Sequence, residues 1–367
     1  MSSRVAIVDG GSFVLPYDFQ LANALVRGGI AQVDFYGSAT KYNAEFLDAM
    51  RLLPGVEMKI YTISGSVAGR ITGVMAYCAL LFRLWQMRKR YDVINFQFSI
   101  LWPLELPLLF LLRKKFIFTI HNAVPHDHSG RYDLPTRWLA RIAKTLIFPS
   151  NFTRNEFFHR YGRCSIEKSM VLPHGLLPVA PNSEVVEYQC AHQPQSLIFW
   201  STVKPYKGVE LFATLARSEA LRSRGLTLEI YGAWSAELKE LKAELVELGV
   251  QVHDEFMGPN QLLSLLSRKA IFLLPYLEAS QSGALYSLLN HGCYFICSDV
   301  GDLGGFMRES GLDSLLLTDR SAEAVLCCLD YLLAHGEDVR RRFELSQWRF
   351  KWESLIPQIS SVYGVPP

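Results

Sequence analysis

Short, continuously apolar runs rich in β-branched and aromatic residues recur along this chain. They alternate with longer stretches whose apolar residues fall three and four apart. The first pattern is that of strands buried on both faces, the second that of amphipathic helices. In the first half, strands are expected at residues 4–8, 32–36, 59–62, 93–97, 116–119, 146–149 and 170–172, with helices at 17–27 and 71–90. Between residues 176 and 194 the pattern lapses; Pro178, Pro181 and Pro194 stand there among polar residues, and the stretch reads as a linker. A second series follows, with strands at 196–200, 227–231, 251–253, 271–274, 294–297 and 314–317 and helices at 209–218, 237–248, 259–268 and 283–291. Further helical segments at 338–352 and 356–363 close the chain. Strands that alternate with helices imply parallel sheets covered on both faces. The expectation is an α/β protein of two doubly wound domains: residues 1–177, a linker at 178–195, residues 196–340, and C-terminal helices at 341–367 that cross back to the first domain.

Composition narrows the class. The 367 residues exceed what one compact core needs, and with half of them apolar and a fifth charged the chain is a packed globular protein. A formal net charge of +2 offers no strong field to a polyanion, which excludes a dedicated nucleic-acid binder. Seven cysteines occur without a CxxC pair, and Cys293, Cys297, Cys327 and Cys328 sit in apolar runs. They read as reduced core thiols of a cytoplasmic protein. A strand beginning at residue 4 leaves no room for a signal peptide, so the Asn151-Phe152-Thr153 sequon reads as chance. The longest uncharged stretch, between Asp92 and Glu105, is too short to span a bilayer.

Candidate chemistry collects where strands run into helices, because helix N-termini at the carboxyl ends of parallel strands offer unpaired N–H groups to anions. The strand at 271–274 leads into Pro275-Tyr276-Leu277-Glu278-Ala279-Ser280-Gln281-Ser282-Gly283-Ala284. The amides of Ser282, Gly283 and Ala284 suit a phosphate there, while Ser280 or Ser282 suits an ordinary N-cap, and junction chemistry leaves both open. After the strand at 196–200, Lys204 and Lys207 stand three apart ahead of a helix, a spacing that suits a diphosphate or a merely solvated loop. After the first strand, Gly10 and Gly11 permit close approach of a ligand or form a plain βα turn; the absence of GxGxxG argues against a dinucleotide.

Together these segments resemble the glycosyltransferases of the GT-B fold, in the retaining, family 4-like, group 1 branch that builds bacterial polysaccharide and lipopolysaccharide. The resemblance rests on residues 199–210 and 274–285, followed at the family's spacing by 291–301, and more loosely on Gly10-Gly11, residues 21–25, 119–122 and 172–175. It spans about the whole chain. It implies two Rossmann-like domains facing across a cleft and a metal-independent hexosyltransferase. No cofactor is implied beyond the donor itself, a UDP- or GDP-sugar. Lys204 and Lys207 would hold the donor diphosphate, with Ser282, Gly283 and Ala284 capping it. Glu278 and Gln281 would lie near the nucleotide and sugar, Gly10 and Gly11 in the cleft loop, and His121 against the donor sugar or acceptor.

The chain also departs from the pattern. Family members carry two glutamates eight apart around the position of Gly283, where this chain has Ser280 and Ser287-Leu288; a second glycine after Gly301 is replaced by Asp302. Asp127, in Pro125-His126-Asp127-His128, is the carboxylate an inverting mechanism would use as its base; the three neighbours also suit a metal poorly and a polar loop well. With no clear carboxylate nucleophile or base, retention is expected, through front-face attack assisted by the departing phosphate. The basic, aromatic segment at 80–90 and Arg113-Lys114-Lys115 suit either a solvated helix end or peripheral contact with anionic lipid on the inner face of the plasma membrane. The acceptor implied is a glycan, polyprenyl-diphosphate-linked in many such pathways. The rival functions are a non-catalytic nucleotide- or glycan-binding subunit and a sugar-nucleotide epimerase of the same fold.

Overall fold

The computed structural model describes residues 3–40, 43–62, 67–123, 133–163, 165–190, 193–279 and 282–363. The chain forms two compact units: Met1–Gly175 with Phe350–Pro367, and Leu176–Arg349.

In the first unit the elements run β1 (Ser3–Asp9), α1 (Leu15–Arg27), β2 (Ala31–Ala39), α2 (Ala44–Arg51), β3 (Val56–Thr62), α3 (Val67–Met87), β4 (Val93–Phe96), α4 (Trp102–Leu112), β5 (Phe116–Thr119), α5 (Asp133–Ile142), β6 (Thr145–Phe148), α6 (Asn151–Tyr161) and β7 (Ser169–Val171). The strands form one parallel sheet in the order β3-β2-β1-β4-β5-β6-β7. Val5–Val8, Ile94, Phe96, Phe116, Ile117 and Leu146–Phe148 are essentially inaccessible, which is why these strands read as unbroken apolar runs. The chain steps from β1 outward to β2 and β3, then returns to the other side of β1 with β4, so the strand order reverses between β1 and β4.

The second unit contains β8 (Ser196–Trp200), α7 (Leu211–Arg217), α8 (Glu219–Arg222), β9 (Thr227–Tyr231), α9 (Lys239–Glu247), β10 (Gln251–His253), α10 (Pro259–Leu266), β11 (Ala270–Leu274), α11 (Gly283–Asn290), β12 (Phe295–Ser298), α12 (Gly301–Glu309), β13 (Leu316–Leu317), α13 (Ala322–Ala334) and α14 (Gly336–Arg349). Its parallel sheet runs β10-β9-β8-β11-β12-β13, with the reversal between β8 and β11. The last helix, α15 (Trp352–Tyr363), belongs to the first unit and packs on α1.

All thirteen strands lie where the apolar runs place them, with ends shifted by a few residues. The helices differ more. Seven of those described are not among those expected from periodicity: α2, α4, α5, α6, α8, α12 and α13. In α4, WPLELPLLFLL, apolar residues surround the helix, leaving no stripe to read. The stretch expected as a linker is fastened to the second unit instead. Val186 N–H donates to Asn290 O at 2.9 Å, Gln347 Nε2 donates to Val186 O at 2.8 Å, and Tyr188 stacks on Phe343 with ring centroids 5.1 Å apart. Of the cysteines expected in the core, Cys293, Cys297 and Cys328 are buried, whereas Cys327 lies on the solvent side of α13. Burial pushes the Cys328 thiol up to about 12, so it stays protonated.

Candidate functional site

In each unit the groups expected to bind gather at the carboxyl end of the sheet, at the point where strand order reverses. That is where an open parallel sheet leaves room between diverging helices.

In the second unit the loops after β8 and β11 flank that point and are tied together. Leu277 N–H donates to Tyr206 O at 2.8 Å. Gly208 has φ 68°, and a Cβ there would lie 1.9 Å from the Pro275 carbonyl oxygen, so glycine alone fits. Arg320, just past β13, donates to Pro275 O at 2.7 Å and Gly208 O at 2.9 Å and pairs with Glu210 at 2.8 Å. The loop after β9 joins the same assembly through Gly232, where a Cβ would fall 1.8 Å from Ser201 O. On this frame the Lys207 ammonium sits 3.7 Å from the centroid of the buried Tyr276 ring, while Lys204 stays exposed.

Helix α11 opens toward this loop. Ser282 occupies the N-cap position, yet its hydroxyl makes no cap and instead donates to the Tyr276 hydroxyl at 3.3 Å. The ordinary N-cap reading therefore fails for Ser282. Leu285 N–H turns back to Ser282 O at 3.2 Å, while the Gly283 and Ala284 amides have no acceptor among the described residues, with the partial positive charge of the helix end behind them; Ser280 lies outside the described residues. Gly283 is exposed, and a Cβ there would meet only Leu177 Cδ1, at 3.6 Å. Glu278 is exposed on the same loop; Gln281 lies outside the described residues. Where the family's second glutamate would stand, Ser287 and Leu288 are buried in α11.

In the first unit, Gly10 and Gly11 follow β1. A Cβ at 10 would strike Tyr77 at 2.5 Å, and one at 11 would strike the Phe13 ring at 2.3 Å, so aromatic side chains close over the loop. Asp9, wholly buried, accepts from Val14 N–H at 3.0 Å and so caps α1 in place of Val14. Beside it lies Asp18, also wholly buried, with no donor reaching either oxygen among the described residues. Burial and the neighbouring Asp9 charge hold the Asp18 carboxyl well above the usual carboxylate range. Burial raises Asp9 too, against the pull of the Val14 N–H. Both carboxyls are thus pushed toward the protonated form, Asp18 the more strongly.

His121 lies two residues past β5, buried, its face stacked on Phe98 at 5.0 Å and Tyr17 edge-on at 5.3 Å. Its Nε2 lies 2.8 Å from Gln97 Oε1. Burial, and secondarily His174, lowers its pKa to about 3, so the ring is neutral. His174 is buried against Tyr17 and lowered to about 4 by burial. Trp352 and Tyr363 of α15 complete this end of the sheet: Trp352 packs on Tyr17 at 5.5 Å, and Asn95 donates to the Tyr363 hydroxyl at 2.7 Å. Asp127, with His126 and His128, lies outside the described residues. Among the described residues no group of three or more His, Cys, Asp and Glu side chains gathers to hold a metal.

Residues 19–176 match the model of Glycosyltransferase Family 4, and residues 194–335 match that of Glycosyl transferases group 1. The chain belongs to these glycosyltransferases. Solved structures agree on the fold, GT-B, with two Rossmann-like domains. HepE of Anabaena, solved with UDP and glucose, superposes with a TM-score of 0.71 at 14% identity over 99% of this chain and 100% of its own. Sucrose-phosphate synthase of Thermosynechococcus elongatus gives 0.71 at 15% identity, covering 99% and 98%. WaaG, a glycosyltransferase involved in lipopolysaccharide biosynthesis, gives 0.59 at 15% identity, covering 99% of each chain. No curated protein sequence matches.

In this glycosyltransferase the structure brings Lys207 to the β11–α11 loop and links His121 through Phe98 to Phe13, whose ring covers Gly11 in the same unit. Sequence reading missed Arg320, Tyr276, Gln97, Tyr17 and Trp352 as parts of these sites. Arg320 is a lone basic residue after a two-residue strand, without local signal. Gln97 and Tyr17 were legible only as ends of apolar elements.

Two outcomes follow from these geometries. Gly208→Ala should destabilise the second unit by about 1–3 kcal/mol in urea unfolding, because it adds both strain and a clash with backbone. For Asp18→Asn the sign comes from proton counting. The unfolded carboxyl ionises near pH 4 while the folded one keeps its proton, so folding takes up a proton and stability falls as pH rises from there. Thermal melts should show the variant gaining on the parent between pH 5 and 8, by about 1 kcal/mol or more.

Proposed function

We propose that this glycosyltransferase moves a hexose from a nucleotide-diphosphate sugar to a hydroxyl of a lipid-linked glycan in bacterial surface polysaccharide synthesis. The observation that carries the donor half is the second-unit junction: an α11 N-terminus whose Gly283 and Ala284 amides have no acceptor among the described residues, beside Lys207, on loops pinned by Arg320 and Gly208. Such an arrangement has fixed donors aimed where leaving-group charge develops, and preorganised donors of this kind stabilise it without reorganisation. Lys204 and Lys207 hold the diphosphate, and the amides of Ser282, Gly283 and Ala284 cap it. Lys207 is the better placed of the two lysines, since Tyr276 orients its ammonium. That HepE was solved with UDP and glucose supports a UDP-sugar as donor.

Transfer proceeds with retention, by front-face attack, the departing phosphate taking the proton of the acceptor hydroxyl. His121, neutral at physiological pH, orients a hydroxyl rather than acting as a cationic acid. Gly10 and Gly11 leave backbone near it for the sugar.

The acceptor half is supported by the surface of the first unit. Trp102, Leu104, Phe110 and Leu111 of α4, Val74, Met75 and Phe82 of α3, and Leu134 and Trp138 of α5 are exposed, and α4 packs on both neighbours. Arg88 lies over Trp85 at 3.7 Å and Arg113 over Phe110 at 4.6 Å. Apolar side chains ringed by cations suit an anionic bilayer surface, to which the enzyme binds peripherally to reach its acceptor. No helix among the described residues is long and apolar enough to cross a membrane.

Calorimetry with UDP, GDP and ADP is the first test. One nucleotide should bind, and Lys207→Ala should weaken it about tenfold or more, as loss of a charge-assisted contact does. If none binds, the loss of the family's glutamates outweighs the junction, and the non-catalytic reading takes its place. For the membrane, co-sedimentation with phosphatidylserine vesicles should fall when Arg88, Lys89 and Arg90 are neutralised, by roughly 1 kcal/mol per charge. Unchanged sedimentation would count against that surface.

A further inference from the structure

Gln97 is a polar residue with no evident business at the buried end of β4. Its backbone N–H is spent on Val8 O at 2.9 Å, which fixes it beside the last residues of β1. Its side chain is 1% exposed. The amide oxygen faces His121 Nε2 at 2.8 Å, while the amide nitrogen is buried without a hydrogen-bond partner among the described residues. A buried amide left half unsatisfied is unfavourable, and an apolar residue of similar shape would avoid that cost. What the glutamine provides is an acceptor at one atom of one ring.

The ring cannot turn to choose otherwise. Phe98 covers its face at an interplanar angle of 17°, and Tyr17 meets it at 88°. Among the described residues the groups around it bring no carboxylate: Phe98 and Gln97 from just past β4, Tyr17 from α1, and His174 from the segment after β7. Burial lowers its pKa, so it carries one proton only. An amide oxygen facing Nε2 accepts that proton's hydrogen bond, and the lone pair is left on Nδ1, which has no hydrogen-bond partner among the described residues.

We propose that Gln97 is a positioning residue for His121, whose amide oxygen holds the imidazole as the Nε2–H tautomer so that Nδ1 accepts a hydrogen bond from a sugar hydroxyl. A glutamate at 97 would draw a second proton onto the ring, and the resulting cation could only donate. Glutamine specifies the tautomer and leaves the charge at zero. The hydroxyl half of this proposal rests on the transferase reading above; the tautomer half does not.

The test uses the full chain labelled with ¹⁵N-histidine, with His121 assigned by its loss in His121→Asn. Long-range nitrogen–proton correlations should show His121 protonated at Nε2 and pyridine-like at Nδ1, unchanged from about pH 5 to 8. In Gln97→Leu the preference for one tautomer should be lost. In Gln97→Glu the ring should become a cation that titrates at or above the ordinary histidine range. A ring protonated at Nδ1 in the parent protein, or a tautomer unmoved in Gln97→Leu, would overturn the proposal. Should Gln97→Leu fail to fold, the parent spectrum and the Gln97→Glu titration decide it. Addition of UDP-glucose should move the Nδ1 resonance. A bound nucleotide sugar that leaves Nδ1 unmoved refutes the hydroxyl contact. Absence of any nucleotide binding, with the tautomer held as described, refutes the transferase reading while the assignment of Gln97 stands.

Discussion

One guanidinium holds the loops of the second unit in register. Arg320 reaches the carbonyl oxygens of Pro275 and Gly208 together, and those loops lead from strands on either side of the strand-order reversal. A parallel sheet satisfies its own backbone laterally, but the loops at its carboxyl edge have no such partner and depend on side chains or on each other. Here they use both. The contact is close enough that position 208 has no room for a side chain, and the position of Lys207 follows from that packing. The direction of the Lys207 ammonium, and the freedom of the α11 amides beside it, both descend from how tightly two carbonyl-lined loops have been drawn together.

The two units solve the same architectural problem with opposite chemistry. In the second, the switch point is lined by cations and backbone donors suited to negative charge. The first lines its switch point with groups that bring no positive charge: two neutral imidazoles, a glutamine, tyrosines, and two buried carboxyls pushed toward the protonated form. Such groups recognise hydroxyls well and phosphates poorly, because a hydroxyl both donates and accepts while a phosphate needs donors with charge behind them. This division matches a reaction in which one partner carries the diphosphate and the other offers a hydroxyl.

The sheets were legible because fully buried strands have little freedom of composition, and the central strands such as β1, β4, β5, β8 and β11 announce themselves as apolar runs. The helices were less so wherever one is apolar all round, as in α4, or too short to establish a stripe, as in α2. Lys207 and the Ser282-Gly283-Ala284 turn could be picked out because they sit in short segments that carry their meaning locally. Arg320 and Gln97 could not, since the meaning of each is a partner many residues away: 45 separate Arg320 from Pro275, and 24 separate Gln97 from His121. The Ser282 hydroxyl shows a different limit. Local rules make it a helix cap, and a tertiary contact with Tyr276 takes it away.

The return of α15 to the first unit has a consequence for how the polypeptide is made. Trp352 packs on Tyr17 and against Gly175, and Tyr363 receives the Asn95 amide, so the first unit is unfinished until α15 exists. The second unit is continuous in sequence and needs nothing beyond Arg349. On the ribosome, where domains fold as units as they emerge, the half synthesised later is the half that can be completed first. The earlier half waits with Tyr17 and Asn95 uncovered until α15 clears the exit tunnel, so the polar cluster around His121 is assembled only after the second unit has been synthesised.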